Sequence, residues 1–216
     1  MKIVLFGATG NVGRQVAAEA LRRGHEVVGV VRDPAAVSAP DARVRLVKGD
    51  ATKVESVAAA VKGADAVVSA ISPRPNARGL AAPSLVENAR ALIAGLRRAA
   101  VKRILFVGGA GSLEVAPGQP LVDQPGFPEA YKAEALEGRA ALGVWRSEAA
   151  GLDWTYLSPA AEIAPGERTG RYRTTGDQFL VDAAGKSFIT FEDYAVAVLD
   201  ELERPRHLGQ RFGVAY

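Results

Sequence analysis

The chain predicts an α/β fold, a doubly wound parallel sheet with a small C-terminal lobe, and three observations carry that prediction. Apolar runs of strand length alternate with helical segments along most of the chain. The first run enters a glycine-rich turn and then a helix free of proline. A chain of 216 residues that is 48% hydrophobic can bury one substantial core and is short for two. Such alternation calls for a parallel sheet covered on both faces, because each crossover helix packs back over the strands it joins.

Residues 3–6, Ile-Val-Leu-Phe, form the first predicted strand, since β-branched and aromatic side chains suit a pleated, buried surface. Residues 12–23 follow as an alanine-rich helix closed by Arg22 and Arg23, which suit its negative end. Further strands are predicted at 27–31, 44–47 and 66–70, with a helix at 54–61 between the last two. Ser84 and Glu87 make a capping box that opens a helix over 84–99, and Arg97 and Arg98 close it. A strand at 104–107, a long helix at 129–150, a sixth strand at 154–157 and a last helix at 191–203 complete the alternation. From 164 to 190 the pattern changes to short runs cut by Pro165-Gly166, Thr175-Gly176-Asp177 and Ala184-Gly185-Lys186. A small appended substrate lobe is expected there, inside a single domain covering 1–216, with Asp177, Gln178 and Asp182 at its mouth or simply at a polar hairpin tip. Trp145 and Trp154 lie in apolar segments and are expected in the core.

Composition excludes several classes. The 27 basic and 24 acidic residues leave a net charge of +3, with basic pairs at predicted helix ends, so no nucleic-acid partner is expected. Absence of cysteine removes disulfides, thiolate metal sites and a cysteine nucleophile. His25 and His207 each stand alone near charged residues, and no metal site is expected from them. The N-terminal apolar run stops at Gly7, too short for a signal-peptide core, and no run approaches about 18 apolar residues. A cytoplasmic protein without a membrane partner is the expectation.

In open α/β sheets ligands collect beyond the carboxyl ends of the strands. The loops expected there are 7–13, 31–34, 71–83 and 108–128, the last long enough for a lid or binding loop. The first reads Gly7-Ala8-Thr9-Gly10-Asn11-Val12-Gly13. Gly7 permits the tight turn, Gly10 leaves no Cβ where a pyrophosphate must come close, and Gly13 lets the helix press on the sheet. This is a dinucleotide-binding turn, with the first helical amides and the helix dipole facing the phosphates. No Gly-Lys-Ser/Thr closes it, which argues against a P-loop. At the end of the second strand, where an NAD site places an acid, stands Arg32. A guanidinium can pair with a 2′-phosphate and lie on adenine, so NADP is the expected cofactor, while Asp33 one residue on keeps NAD open. Asp50, followed by Ala51 after the third strand, can accept from the adenine amine or cap the next turn.

The glycine turn, Val31-Arg32-Asp33, Gly49-Asp50, Val107-Gly108-Gly109-Ala110-Gly111-Ser112 and Leu152-Asp153-Trp154-Thr155-Tyr156-Leu157-Ser158-Pro159 together resemble the atypical short-chain dehydrogenase/reductases. The likeness is closest to their NAD(P)H-binding, NmrA-like branch, which includes flavin reductases of the biliverdin-reductase-B type. Gly166-Glu167-Arg168-Thr169-Gly170 and Glu192-Asp193-Tyr194-Ala195 extend it over nearly the whole chain. The resemblance implies a Rossmann-type fold, with a backbone pyrophosphate site at Thr9, Gly10, Asn11 and Val12. It implies a 2′-phosphate partner at Arg32 and an adenine contact at Asp50. Ala70, Ile71, Gly108 and Gly109 would line the ribose and nicotinamide, with Pro159 and Ala160 bordering the nicotinamide on the far side.

One departure from the family matters. Typical short-chain dehydrogenases place a Lys four residues after a catalytic Tyr, so that both share a helix face and the Lys lowers the phenol pKa. Here Lys132 directly follows Tyr131 and Ala135 stands four residues on. Adjacent helical residues point about 100° apart, so Tyr131 and Lys132 cannot cooperate in that way. With Ser112 at the family's serine position, Ser112, Tyr131 and Lys132 are the candidate catalytic residues. The leading expectation is an NADPH-dependent reductase acting on a flavin or quinone, for which positioning does most of the work. The alternative is a non-catalytic NADP(H) sensor, and a third reading, sugar-nucleotide or steroid epimerase or dehydrogenase, lacks the tyrosine–lysine spacing it needs. Either a monomer or a homodimer is compatible with the sequence.

Overall fold

The computed structural model describes residues 1–73 and 84–216. Most of the expected 71–83 loop therefore lies outside the described residues. Strands β1 (Lys2–Phe6), β2 (Glu26–Val31), β3 (Arg45–Lys48), β4 (Ala66–Ser69) and β5 (Arg103–Val107) alternate with helices α1 (Asn11–Arg22), α2 (Val54–Val61) and α3 (Leu85–Arg98). The short strands β6 (Glu114–Ala116) and β7 (Gln119–Pro120) precede α4 (Glu129–Glu148) and β8 (Asp153–Ser158). Then come β9 (Glu162–Ala164), β10 (Arg173–Thr175), β11 (Phe188–Thr190), α5 (Phe191–Glu203) and β12 (Gln210–Ala215).

The main sheet runs β10-β12-β8-β5-β4-β1-β2-β3, parallel throughout except for β10, which pairs antiparallel with β12. This is the Rossmann-type doubly wound sheet expected from the sequence. Chain order reverses between β1 and β4, which makes their carboxyl ends the switch point at which such sheets bind ligands. Alternation along each strand feeds two cores. Ile3 and Leu5 of β1 join the layer under α1 and α5, while Val4 and Phe6 join the layer under α2, α3 and α4. Trp145 and Trp154 lie in that second core as expected.

Strand β12 is absent from the sequence expectation because Arg211 interrupts its apolar run. The structure accepts that arginine, 5% exposed, by pairing it with Asp177 across the sheet edge. Residues 164–190 contribute β10 to the main sheet and β11 to a two-stranded sheet with β9. Carboxylates from α1 and α5 tie this segment down. Glu19 accepts two bonds from Arg168, Glu192 accepts from Gly166 N, Asp193 from Thr169 and Gly170, and Asp200 from Tyr172. The two late segments that carry the family likeness thus bind each other. Asp182 is spent closing its own turn onto Ala184 and Lys186, and Gln178 accepts from Thr175. No helix among the described residues is long and apolar enough to cross a membrane.

Candidate functional site

Sheet order turns scattered sequence positions into one row. Asp50 and Ala51 leave β3, Arg32 leaves β2, Gly7 leaves β1, Ala70 and Ile71 leave β4, Gly108 and Gly109 leave β5, and Pro159 and Ala160 leave β8, all at carboxyl ends of neighbouring parallel strands.

The three glycines of the first turn have different reasons to be glycine. Gly7 has φ +79°, and a Cβ there would lie 2.5 Å from the Ala70 carbonyl oxygen. A Cβ on Gly13 would lie 2.1 Å from the Gly7 carbonyl oxygen. Both are demanded by packing against backbone. Gly10 is not: its φ is −76°, and the nearest atom to an added Cβ is 3.5 Å away, an ordinary contact. The fold would accept a methyl group there, so the bare surface is a cradle that a Cβ would fill. Helix α1 starts at that point with no side-chain cap and no acid in its first turn. Its orphan amides and positive end are left for an anion, and the Arg14 guanidinium, bonded to Thr9 O at 2.8 Å, stands beside them. These features fit a dinucleotide pyrophosphate on Thr9, Gly10, Asn11 and Val12.

Arg32 is exposed and has no hydrogen-bonding partner among the described residues. Asp33, by contrast, is committed: it caps the short helical turn Pro34–Ala36 by accepting from Ala35 N at 3.2 Å. The first side chain beyond β2 that is free to meet a ligand is therefore the cation. Asp50 accepts from Thr52 N and Thr52 Oγ through Oδ1, so the turn-capping role holds for that oxygen, while Oδ2 has no hydrogen-bonding partner among the described residues. Burial pushes the Asp50 carboxyl up, but the Thr52 bonds and the charges of Lys53 and Arg32 hold it below its ordinary value.

Farther along the row, Gly108 N donates to Leu157 O at 2.8 Å. A Cβ on Gly108 would fall 1.9 Å from Cε1 of Tyr156, so core packing alone requires that glycine. Tyr156 is fully buried, stacks on Phe106 and donates to Gly138 O at 2.9 Å, and burial drives its phenol far above the ordinary value. A Cβ on Gly109 would meet nothing within 4 Å and would face open space. Pro159 and Ala160 are buried, and the hydroxyl of the preceding Ser158 is buried without a partner among the described residues.

The candidate catalytic residues are dispersed in environment. Ser112 is 8% exposed and lies in the turn Ala110–Ser112, where its hydroxyl and carbonyl both accept from Arg211, at 3.5 and 3.3 Å. Tyr131 is 51% exposed in the first turn of α4, and Lys132 is exposed, 3.8 Å from Glu129. The turn and the helix meet through Gly111 and Ala135, a Cβ on Gly111 falling 2.5 Å from that of Ala135. The place four residues beyond Tyr131 is thus a packing seam.

Two supporting residues escaped sequence reasoning. Asn88 of α3 is fully buried, donates to Ala51 O at 2.9 Å and accepts from Ser69 Oγ at 3.2 Å, linking the β3 and β4 exits. An amide on the inward face of an amphipathic helix was the available signal. Glu137 of α4 accepts from Ser84 Oγ and Leu85 N, capping α3 from 52 residues away. Nothing local marks that role.

Comparison with known proteins bears on the whole chain. The profile of a family described as NAD(P)H-binding matches residues 7–205. Three solved structures, each provisionally named, share the architecture. An exported protein of Burkholderia pseudomallei is 49% identical with TM-score 0.90, covering 100% of both chains. An epimerase of Bacteroides thetaiotaomicron is 41% identical with TM-score 0.87, covering 100% of this chain and 96% of its own. An NADH-flavin reductase of Streptococcus pneumoniae is 32% identical with TM-score 0.86, covering 100% and 99%. The matched span contains the glycine turn, the uncapped start of α1 and the row of strand exits beside them, and the chain belongs to the NAD(P)H-binding family, among the atypical relatives of the short-chain dehydrogenase/reductases.

Proposed function

We propose that this protein is an NADPH-dependent reductase that delivers hydride to a small conjugated acceptor, a flavin or a quinone. The seam between Gly111 and Ala135 carries the reading, because it fills with packed small residues the position where a proton-relay lysine would stand. An acceptor whose reduced form is a stabilised π-system needs positioning more than a relay. Of the two activities named among the structural neighbours, flavin reduction suits this seam better than epimerisation, which needs acid–base groups at the reacting carbon.

A bound reduced nicotinamide supplies the hydride. The chain's own residues hold and orient. Amides at the start of α1 receive the pyrophosphate, Arg32 the 2′-phosphate, and Asp50 Oδ2 the adenine amine. Ala70, Ile71 and Gly109 give a low wall of small groups beside the ribose and nicotinamide, closed on the far side by Pro159 and Ala160. Lys132 and Tyr131, exposed at the start of α4, offer the acceptor a charge and a ring face. The Ser112 hydroxyl, accepting from Arg211, keeps its own proton to donate to an acceptor oxygen.

The test is NADPH oxidation over a panel of flavins and quinones, with NADH in parallel and Arg32→Ala as the comparison variant. Turnover that prefers NADPH, with the preference lost in the variant, is the expected result. NADPH binding with no acceptor reduced above background overturns the reductase reading in favour of a sensor, whose partner affinity must then differ between NADP⁺ and NADPH.

A further inference from the structure

Giving the 2′-phosphate to Arg32, an assignment on which the role of Lys53 rests, leaves a neighbouring cation without a purpose. Gly49 N donates to Val31 O at 2.9 Å, so the exit of β3 is sewn to the exit of β2 and Asp50 is brought beside Arg32. Lys53 N then donates to Asp50 O at 3.2 Å, folding residues 50–53 into the turn that opens α2. On this turn the Asp50 carboxylate gives Oδ1 to Thr52. It makes no ion pair with either cation. Arg32 and Lys53 are both exposed, and neither side chain has a hydrogen-bonding partner among the described residues. Their charges converge all the same, since both act on the Asp50 carboxyl.

The position of Lys53 is locally unfavourable. It is the N-cap of α2, makes no side-chain cap bond, and sets a positive charge at the positive end of a helix. Departures from local rules of this kind concentrate at functional sites. A phosphate monoester carries nearly two negative charges at neutral pH, and one guanidinium balances only one of them.

We propose that Lys53 is the second cation of the 2′-phosphate site. Arg32 engages the phosphate from the exit of β2 in its planar, bidentate manner, and Lys53 meets the remaining charge from the start of α2. Lys53 is thereby a specificity-determining residue for NADP over NAD.

Calorimetric titration with adenosine 2′,5′-bisphosphate and with ADP tests this without any acceptor. Wild type should prefer the bisphosphate. Lys53→Ala should weaken the bisphosphate about fivefold, leave ADP unchanged, and lose its difference from wild type near ~1 M salt, where exposed charges are screened. Lys53→Arg should restore most of the loss. Lys53→Ala binding both ligands like wild type, or weakening both equally, overturns the role of Lys53 even where Arg32→Ala abolishes the preference. Wild type that binds neither ligand overturns the cofactor site as a whole, and equal binding of both overturns the 2′-phosphate assignment of Arg32 together with that of Lys53.

Discussion

Replacement of Gly10 by alanine separates a glycine kept for a ligand from glycines kept for the fold. At Gly10 the added methyl meets only the Gly7 oxygen at 3.5 Å, and φ of −76° suits any residue. The stability change should stay within about 1 kcal/mol, because a small loss of N-cap preference is offset by reduced freedom of the unfolded chain. In a chain of this size that moves Tm by no more than roughly 4 °C. Gly13→Ala is the contrast: its methyl would stand 2.1 Å from the Gly7 oxygen and 2.8 Å from its carbon, both backbone atoms that cannot step aside. A loss of about 3 kcal/mol or more is expected, since overpacking against backbone forces the helix off the sheet. In NADPH titrations followed by nicotinamide fluorescence, Gly10→Ala should bind at least about tenfold more weakly, the equivalent of ~1.4 kcal/mol of steric cost against the pyrophosphate. A Gly10→Ala protein that melts like wild type and binds NADPH like wild type would refute the placement of the pyrophosphate. One that melts as low as Gly13→Ala would refute the argument from free space.

The same geometry sets three further outcomes. Glu19 is 2% exposed and its carboxyl is held at about 2, chiefly by the Arg168 guanidinium against the opposing effect of burial, so its contribution is complete above its ordinary value of 4.5 and is lost as pH falls from there through about 2. Thermal melts between those limits should fall more steeply for wild type than for Glu19→Gln, and parallel slopes would remove Glu19 as the cause. Asn88→Leu should lose roughly 2–3 kcal/mol in urea unfolding, because Ala51 O and Ser69 Oγ are left buried without partners, and should also weaken NADPH binding by separating the β3 and β4 exits; unchanged stability would show that the bridge contributes nothing. Ser158→Ala removes a buried hydroxyl that has no partner among the described residues and should leave Tm equal or higher, so a clear fall in Tm would mean that this oxygen is satisfied in solution.

The segment from Lys2 to Arg22 was legible because its interactions are nearly all local. Strand, turn and helix follow one another directly, and the Gly7–Gly13 contact spans only that turn. Arg32 was legible for the same reason, lying one residue beyond β2. Gly10 and Gly108 show the limit of such reading. Both looked like ligand glycines in the sequence, yet Gly108 is required by the ring of Tyr156, 48 positions away, whereas Gly10 is spared by the fold. The environment of Ser112 depends on Arg211, 99 residues later, which is buried only because Asp177 reaches it.

The sequence by itself therefore determined the class of fold, the glycine turn from β1 into α1 and the cation at the exit of β2, since periodicity and adjacent residues suffice to specify them. Tertiary structure alone decided which polar groups are spent and which remain available. Asp33 caps a turn, Asp50 gives one oxygen to Thr52, and Arg32 stays unpaired among the described residues. Those outcomes depend on which strand exits become neighbours in the sheet, and a hydrogen bond between distant segments leaves no periodic trace in the chain that makes it.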